Sequence, residues 1–186
     1  VLTGGSDSIF EPAAYGGWDN LGVMSRNPDP AKACRPFDRQ RDGCILGEGA
    51  VALLMESEEH ARHRKASIRA EIAGYGESSD AAHITSPSSE GQARAMQAAL
   101  ESANLKPTDI GFINAHGTGT TANDASESES IRMAFGEVTD TIPVASNKSY
   151  FGHLLGAAGA AEIAATILGL EQGAALRFLQ DPRAHT

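Results

Sequence analysis

Apolar and polar residues alternate in blocks along this 186-residue chain, and the blocks predict strands interleaved with helices. Residues 44–55 form a nearly continuous apolar run with glycines, which is typical of a buried strand. Residues 56–65 are charged and predict a short helix. Residues 67–75 alternate apolar and polar side chains, with Ile68 and Ile72 on one face, and this alternation predicts a second strand.

The rest of the chain continues the same order of elements. Apolar residues at helical spacing, cap residues and short apolar runs each predict one element. In order, the predicted elements are a helix from Ser88 or Ser89 to about residue 103, a strand over 110–113, a helix from Asp124 to Ala134 closed by Gly136, a strand over 142–146 and a helix over 156–171.

Strands that alternate with helices at this spacing indicate an α/β layered sheet, at least part of which is parallel. Functional sites in such folds gather where the strands end. Two segments meet this condition: residues 114–120, directly after one predicted strand, and residues 147–153, directly after the next.

Each of these two loops carries a histidine a few residues beyond its strand. His116 lies in the first loop and His153 in the second, with Lys148 between strand and histidine. If the strands are neighbours, the three side chains converge. A single histidine in a glycine-rich loop is more often structural, but a matched pair beside a lysine favours catalysis.

The chemistry that suits such a pair is stabilisation of an enolate or oxyanion. Two imidazole N–H groups would donate to one carbonyl oxygen, and loss of one such donor typically raises a barrier by about 3 kcal/mol. Lys148 would add electrostatic support, with Glu127 as its partner. Metal binding is the rival use of two histidines and ranks below, because no third ligand has a recognisable spacing.

Net charge and cysteine content limit the classes of partner and the compartment that the chain fits. The formal net charge of −9 disfavours nucleic acid and anionic membranes, since both need a positive face. No membrane span is predicted, because the most apolar window, 154–170, contains Glu162.

The basic run 62–65 follows acidic residues, which favours ion pairs on a helix surface over a docking patch for an acidic carrier. Cys34 and Cys44 lack disulfide or metal spacing and fit a cytoplasmic location.

Three longer motifs resemble the β-ketoacyl-acyl-carrier-protein synthases, above all the type II elongating enzymes of fatty-acid synthesis and the related polyketide ketosynthases. They are RPFDRQRDGCILGEGA at 35–50, NAHGTGT at 114–120 with Asp124 and Glu127, and NKSYFGHLLGAAG at 147–159. Their order and spacing match those of the family, and the resemblance extends to about Gln172.

The resemblance implies a thiolase-like fold, in which two α/β halves stack as helix, sheet, helix, sheet and helix layers, normally in a homodimer. Residues 1–66 would form the end of the N-terminal half. Residues 67–172 would form the beginning of the C-terminal half, and residues 173–186 look unrelated to the family.

The implied activity is decarboxylative Claisen condensation of a malonyl-acyl-carrier-protein with an acyl thioester, in fatty-acid or polyketide synthesis. By this resemblance, His116 and His153 promote the decarboxylation, Lys148 is the active-site lysine and Glu127 supports it.

The resemblance also implies how the substrate is held. Thr118 and Thr120 match hydroxyls that line the pantetheine arm, and His83 lies in a segment that resembles a loop at the tunnel mouth. Acyl carrier protein is the implied partner. No separate metal or organic cofactor is implied, because the carrier's phosphopantetheine brings the substrates.

The chain departs from the family's pattern at both ends. The family's nucleophilic cysteine lies in a motif upstream of Val1, and Cys34 and Cys44 are interpreted as small buried side chains instead. We therefore expect a fragment that forms no acyl-enzyme by itself. Unpaired strand edges and apolar faces predict that it self-associates.

Two other functions remain as alternatives. A non-catalytic subunit similar to the chain-length factors of polyketide systems would also lack the cysteine, but such subunits generally lack the histidine and lysine set that this chain keeps. A serine hydrolase is disfavoured, because the chain contains no G-x-S-x-G motif.

Overall fold

The computed structural model describes residues 1–81 and 86–173. Its strands are β1 (Leu2–Asp7), β2 (Gly49–Leu54), β3 (Ile113–Asn114) and β4 (Val144–Ala145). Its α-helices are α1 (Pro12–Asn20), α2 (Glu58–His63), α3 (Ser89–Ala103), α4 (Thr121–Phe135), α5 (Lys148–Phe151) and α6 (Ala158–Glu171). Short 3₁₀ turns cover Pro30–Lys32, Pro107–Asp109, Gly136–Thr141 and Leu155–Ala157.

The strands form two small sheets. β1 and β2 pair antiparallel with Leu2 opposite Leu54, and β3 and β4 pair parallel with Ile113 opposite Val144. The parallel pair agrees with the predicted α/β class. Both strands of this pair are two residues long, shorter than the predicted 110–113 and 142–146.

The predicted strand over 44–55 is interrupted. Only β2 is a continuous strand, whereas Cys44 and Leu46 form single bridges, with Met24 and with His153 respectively. Gly47 allows this arrangement, because a Cβ there would lie 2.1 Å from the carbonyl oxygen of Phe151. The close approach brings the chain around Leu46 next to the His153 loop.

The predicted strand over 67–75 is wrong. This segment has no strand assignment, and Ile68 and Ile72 are exposed. The segment lies along α3: a Cβ at Gly74 would approach the Ala99 carbonyl oxygen at 2.5 Å. Alternating side chains can favour a strand, but a strand needs a backbone partner, and none pairs with this segment among the described residues.

Side-chain caps begin α2, α3 and α4, and the predicted caps are confirmed at the start of α3 and at the end of α4. Ser57 accepts from the His60 N–H at the start of α2, and Ser88 accepts from the Gly91 N–H at the start of α3. α4 begins at Thr121 rather than Asp124, because the Thr120 hydroxyl accepts from the Asn123 N–H and caps the helix earlier. Gly136, with a φ of 60°, ends α4 as expected.

The basic run of α2 is paired within its own helix region. Arg62 bonds Glu58, and Arg64 bonds Glu56. These contacts agree with the predicted surface of ion pairs and leave the docking interpretation without support.

Three apolar clusters hold the described residues together. One joins α3, α4 and the start of β4 around Ile131, Phe135 and Ile142, and a second packs α6 against Val51 of β2. The third surrounds Met24, Cys44 and Leu46, and includes Trp18 of α1. No helix of the described ranges is long and apolar enough to cross a membrane.

Candidate active site

The parallel pairing of β3 and β4 brings the two predicted loops together. The Ala115 N–H donates to the Ala145 carbonyl oxygen at 2.7 Å, so the two chains run side by side up to the point where the loops begin. The buried Ser146 hydroxyl then crosses between them and donates to the Gly117 carbonyl oxygen at 2.8 Å. The strand ends therefore place the two histidine loops against each other.

The imidazole rings of His116 and His153 meet in a T-shaped arrangement. Their centroids are 5.1 Å apart and their planes lie at 83°. The His153 backbone is fixed by the chain around Leu46, because its N–H donates to the Ile45 carbonyl oxygen at 2.7 Å and its carbonyl accepts from Gly47 at 3.0 Å. The predicted convergence of the two histidines is what the structure shows.

A backbone hydrogen bond fixes the tautomer of His153. The Leu155 N–H donates to His153 Nδ1 at 3.2 Å, so Nδ1 is the acceptor and we assign the ring proton to Nε2. Leu155 has a φ of 47°, an uncommon conformation for a branched residue. Leu155, whose backbone is strained, therefore makes the hydrogen bond to Nδ1 that leaves the Nε2–H free to donate to a ligand.

Both histidines are neutral near pH 7. Burial, together with the positive charge of Lys148 and with His153, lowers the pKa of His116 to about 3. Burial and Lys148 lower the pKa of His153 to about 4. Neutral rings each keep one N–H donor and carry no charge that would hold the carboxylate of a substrate in place.

Lys148 is fully buried, with 1% of its surface exposed. Its Nζ donates to the His116 carbonyl oxygen at 2.6 Å and to Glu162 Oε1 at 2.5 Å. The predicted pairing of Lys148 with Glu127 is therefore wrong. α6 turns Glu162 toward the lysine, whereas the carboxylate of Glu127 is engaged elsewhere.

Glu127 binds the backbone of the first loop. Its two carboxylate oxygens accept from the N–H groups of His116 at 2.6 Å and Gly117 at 2.8 Å. Burial raises its pKa, while these hydrogen bonds act in the opposite direction. The backbone of His116 is thus held at two points, at its N–H by Glu127 and at its carbonyl by Lys148.

The predicted pantetheine hydroxyls lie together at the end of the first loop. Thr118 Oγ1 and Thr120 Oγ1 are 2.9 Å apart, and Thr120 also caps α4. Thr118 is buried, with 6% of its surface exposed. Their role toward a substrate stays a prediction.

Asp124 and Arg41 join the first loop to the motif over 35–50. The buried Asp124 carboxylate accepts from the Phe37 N–H at 2.7 Å and from the Gly119 N–H at 3.2 Å. Arg41 Nε lies 3.6 Å from the same carboxylate and donates to the Thr120 carbonyl oxygen at 3.3 Å. These contacts give the first and second motifs a common anchor.

A cavity of about 370 Å³ opens beside Lys148. Its lining combines polar and apolar surface and includes Cys34, Ile45 and Phe151. Burial raises the pKa of the Cys34 thiol to about 11 and also raises that of Cys44. Neither cysteine is therefore suited to act as a thiolate nucleophile. Cys44 is buried as predicted, whereas Cys34 is half-buried.

The structure adds one residue to the predicted site and leaves another untested. Glu162 was not predicted, although a lone carboxylate in an alanine- and glycine-rich helix is a signal for a buried charge partner. His83 and residues 174–186 lie outside the described residues. In the described ranges no group of three or more His, Cys, Asp or Glu side chains is placed to hold a metal ion.

Comparison with known proteins agrees with these motifs. Residues 1–61 match the family model of the β-ketoacyl synthase N-terminal domain, and residues 69–180 match that of the β-ketoacyl synthase C-terminal domain. The second match extends beyond Gln172, where the resemblance by motif ends.

Curated relatives are whole enzymes of which the chain is similar to a part. A 3-oxoacyl-[acyl-carrier-protein] synthase 2 of Staphylococcus aureus is 44% identical over 173 residues, which are 92% of this chain and 43% of the relative. The enzyme of the same name from Vibrio harveyi is 44% identical over 174 residues, 91% of this chain and 42% of the relative. The chain thus spans less than half the length of these relatives.

Solved structures to which the chain is similar include ketosynthases. A β-ketoacyl synthase from Burkholderia phymatum superposes with a TM-score of 0.88 at 42% identity, over 98% of this chain and 45% of that one. A type II polyketide ketosynthase solved with its acyl-carrier protein gives a TM-score of 0.87 at 38% identity, over 91% of this chain and 43% of that one. The thiolase-like α/β fold is thereby confirmed, and the chain belongs to the β-ketoacyl synthase family.

Proposed function

We propose that the protein takes part in the decarboxylative condensation of a malonyl thioester with an acyl thioester, as an acyltransferase of fatty-acid or polyketide synthesis. The observation that supports this most directly is the pair of neutral imidazoles, His116 and His153, whose rings meet at 5.1 Å. The relatives named as 3-oxoacyl-[acyl-carrier-protein] synthases support the same reaction class.

In the proposed decarboxylation, the bond between Cα and the carboxylate of the malonyl group breaks and carbon dioxide leaves. The electron pair moves into the thioester, which becomes an enolate. The N–H groups of His116 and His153 donate to the enolate oxygen, and the buried cation of Lys148 supports this charge through the His116 peptide. Glu127 and Glu162 act as positioning residues for His116 and Lys148.

In the proposed condensation, the enolate carbon attacks the carbonyl of an acyl group held as a thioester on a cysteine, and the cysteine thiolate leaves. Cys34 and Cys44 have raised thiol pKa values, so neither is assigned this role. The 186-residue chain by itself is therefore expected to decarboxylate and not to condense. Without an acyl acceptor, the enolate takes a proton and gives an acetyl thioester.

The substrates are proposed to arrive on the phosphopantetheine of an acyl carrier protein, with Thr118 and Thr120 beside the arm. A solved relative in complex with its acyl-carrier protein supports this partner. His83 is kept as a candidate at the entrance. We also propose that residues 1–66 and 67–172 belong to the two halves of the fold, which the family matches over 1–61 and 69–180 support.

A cytoplasmic location is proposed as well. Both cysteines are free thiols, and no membrane-spanning helix is found in the described ranges. The free thiols are compatible with a reducing compartment.

The experiment is incubation of the chain with malonyl-pantetheine, with acetyl-pantetheine measured by mass spectrometry. We expect product from the unaltered chain, a loss of about 100-fold in His116→Ala and no loss in His63→Ala, whose histidine is exposed on α2. Equal rates in the unaltered chain and in His116→Ala, or no product from either, would contradict the proposal.

A non-catalytic partner of a ketosynthase is the second candidate. One solved relative, described as a ketosynthase/chain length factor, is 41% identical with a TM-score of 0.81. The retained histidine pair and lysine favour the enzyme. Co-purification with a complete ketosynthase, combined with no decarboxylation, would favour the partner.

A further inference from the structure

Trp18, the chain's single tryptophan, lies next to His153. It is on α1, far from both histidine loops in sequence, yet the centroid of its indole is 6.4 Å from that of the His153 ring, with the planes at 58°. The indole is half-buried and packs on the cluster of Met24, Cys44 and Leu46. Leu155, whose N–H bonds His153 Nδ1, packs on the same cluster.

Trp18 adds a ring contact to those that His153 makes through its backbone, its Nδ1 atom and the His116 ring. The backbone is fixed by Ile45 and Gly47, the Nδ1 atom by Leu155, and one edge of the ring by His116. A single hydrogen bond to Nδ1 still allows the ring to swing about that bond. A bulky ring wedged beside the imidazole removes this freedom and excludes water from that side.

We propose that Trp18 is a positioning residue for His153, which holds the imidazole plane so that the Nε2–H points into the site. This inference rests on the function proposed for His153. It adds to the site a residue of α1, which lies in none of the three motifs.

The effect of Trp18 on His153 differs from that of the charged and titratable groups that face the same ring. The charge of Lys148, on α5, acts on His153 and is paired with Glu162 of α6, and the His116 ring meets the His153 ring from the loop after β3. On the helix of Trp18 itself, Asp19 is paired with Arg26 at 2.8 Å. The indole carries no charge, so its contribution comes from packing and from exclusion of water.

The first test uses the emission of Trp18 in the intact chain. A protonated imidazole in contact with an indole quenches its fluorescence, so an acid titration should reveal a transition below the ordinary histidine range. We expect this transition to disappear in His153→Gln. A transition that persists unchanged in His153→Gln would overturn the proposal, because the indole would then report another event such as acid unfolding.

The second test follows the His153 ring by NMR as the pH is lowered. In Trp18→Ala the midpoint should rise toward that of an ordinary histidine by about half a pH unit or more, and Trp18→Phe should restore most of the shift. Tyr15→Ala, on the same helix, should leave the midpoint unchanged. An unchanged midpoint in folded Trp18→Ala would overturn the proposal.

If Trp18→Ala does not fold, the fluorescence comparison and the Trp18→Phe titration decide. Neither test needs turnover. A chain that fails to decarboxylate malonyl thioester can still show the coupling of Trp18 to His153, and an active chain can lack it, so the two proposals fail separately.

Discussion

At the residue scale, the site depends on a buried cation with two partners. Lys148 donates to the His116 carbonyl and to Glu162, and both acceptors are needed because a buried ammonium group without them is costly. Glu127 completes the arrangement from the other side of the His116 peptide. The histidine is therefore oriented by its backbone, and the lysine acts on the reaction through that backbone.

Glu162→Gln should lower stability markedly. The substitution leaves the Lys148 charge buried without its counter-ion, and removal of one partner of a buried ion pair costs about 3 kcal/mol. Urea unfolding monitored by circular dichroism measures the loss, and Glu129→Gln, at an exposed position of α4, is the matched control. A loss below about 1 kcal/mol would show that the pair contributes little.

Stability should fall as the pH is lowered through the histidine range. The folded-state pKa values of His116 and His153, about 3 and about 4, lie below the ordinary 6.5, so between about pH 6.5 and pH 4 the unfolded chain binds more protons. The stability contribution is complete above pH 6.5 and is lost as the pH falls. Glu127, with its raised pKa, has the opposite sign and partly offsets this trend.

His153→Gln should therefore reduce the loss of unfolding free energy between about pH 7 and pH 5 by about 2 kcal/mol. Urea titrations at the two pH values measure the difference, and His63→Gln provides an exposed control. An identical pH dependence in the unaltered chain and His153→Gln would refute the lowered pKa.

The sequence identified both histidines and the lysine, because the loops that follow strands can be recognised from the local pattern of residues. It missed the partner of Lys148, because the choice between Glu127 and Glu162 depends on how α4 and α6 lie in space. Sequence separation favours neither carboxylate. Trp18 was missed for the same reason, since nothing in the pattern of α1 relates it to a loop that follows β4.

At the element scale, helices were more predictable than strands. α3 and α4 carry their own signals in cap residues and apolar spacing, and their hydrogen bonds are internal. A strand is completed only by a partner. β3 and β4 shrink to two paired residues each, and the alternating segment 67–75 forms no ladder at all.

The same segment offers a test of its packing on α3. A Cβ at Gly76 would meet the Ala95 carbonyl oxygen at 2.1 Å, so Gly76→Ala must displace the segment or the helix, with an expected loss of about 2 kcal/mol. Gly111→Ala meets nothing within 4 Å and should change stability little. Thermal unfolding of both variants distinguishes them, and equal melting temperatures would show that residues 74–76 do not pack as described.

At the scale of the whole molecule, the chain leaves much apolar surface uncovered. Its three apolar clusters are small, and large side chains remain exposed on several elements. Examples are Leu2 at 75%, Leu54 at 65%, Ile72 at 66% and Leu170 at 66%. Surfaces of this kind favour association.

We expect the chain to associate with itself, as a homodimer or a larger species. Sedimentation over a range of concentrations should give a mass above that of one chain, and Leu54→Lys with Ile72→Lys should shift it toward the monomer by placing charge on the exposed faces. Glu59→Lys, on exposed α2, is the control for added positive charge. A stable monomer at all concentrations would rule the expectation out.

The proposed decarboxylation requires His116 and His153 to act together on one oxygen. The most direct measurement is the rate of carbon dioxide release from malonyl-pantetheine by His116→Ala, His153→Ala and the double variant, each compared with the unaltered chain. If the two N–H donors act as a unit, the loss of either one removes most of the rate enhancement. Each single variant should therefore lose about 100-fold, and the double variant little more. Losses that multiply, or a single variant that keeps the full rate, would contradict the claim.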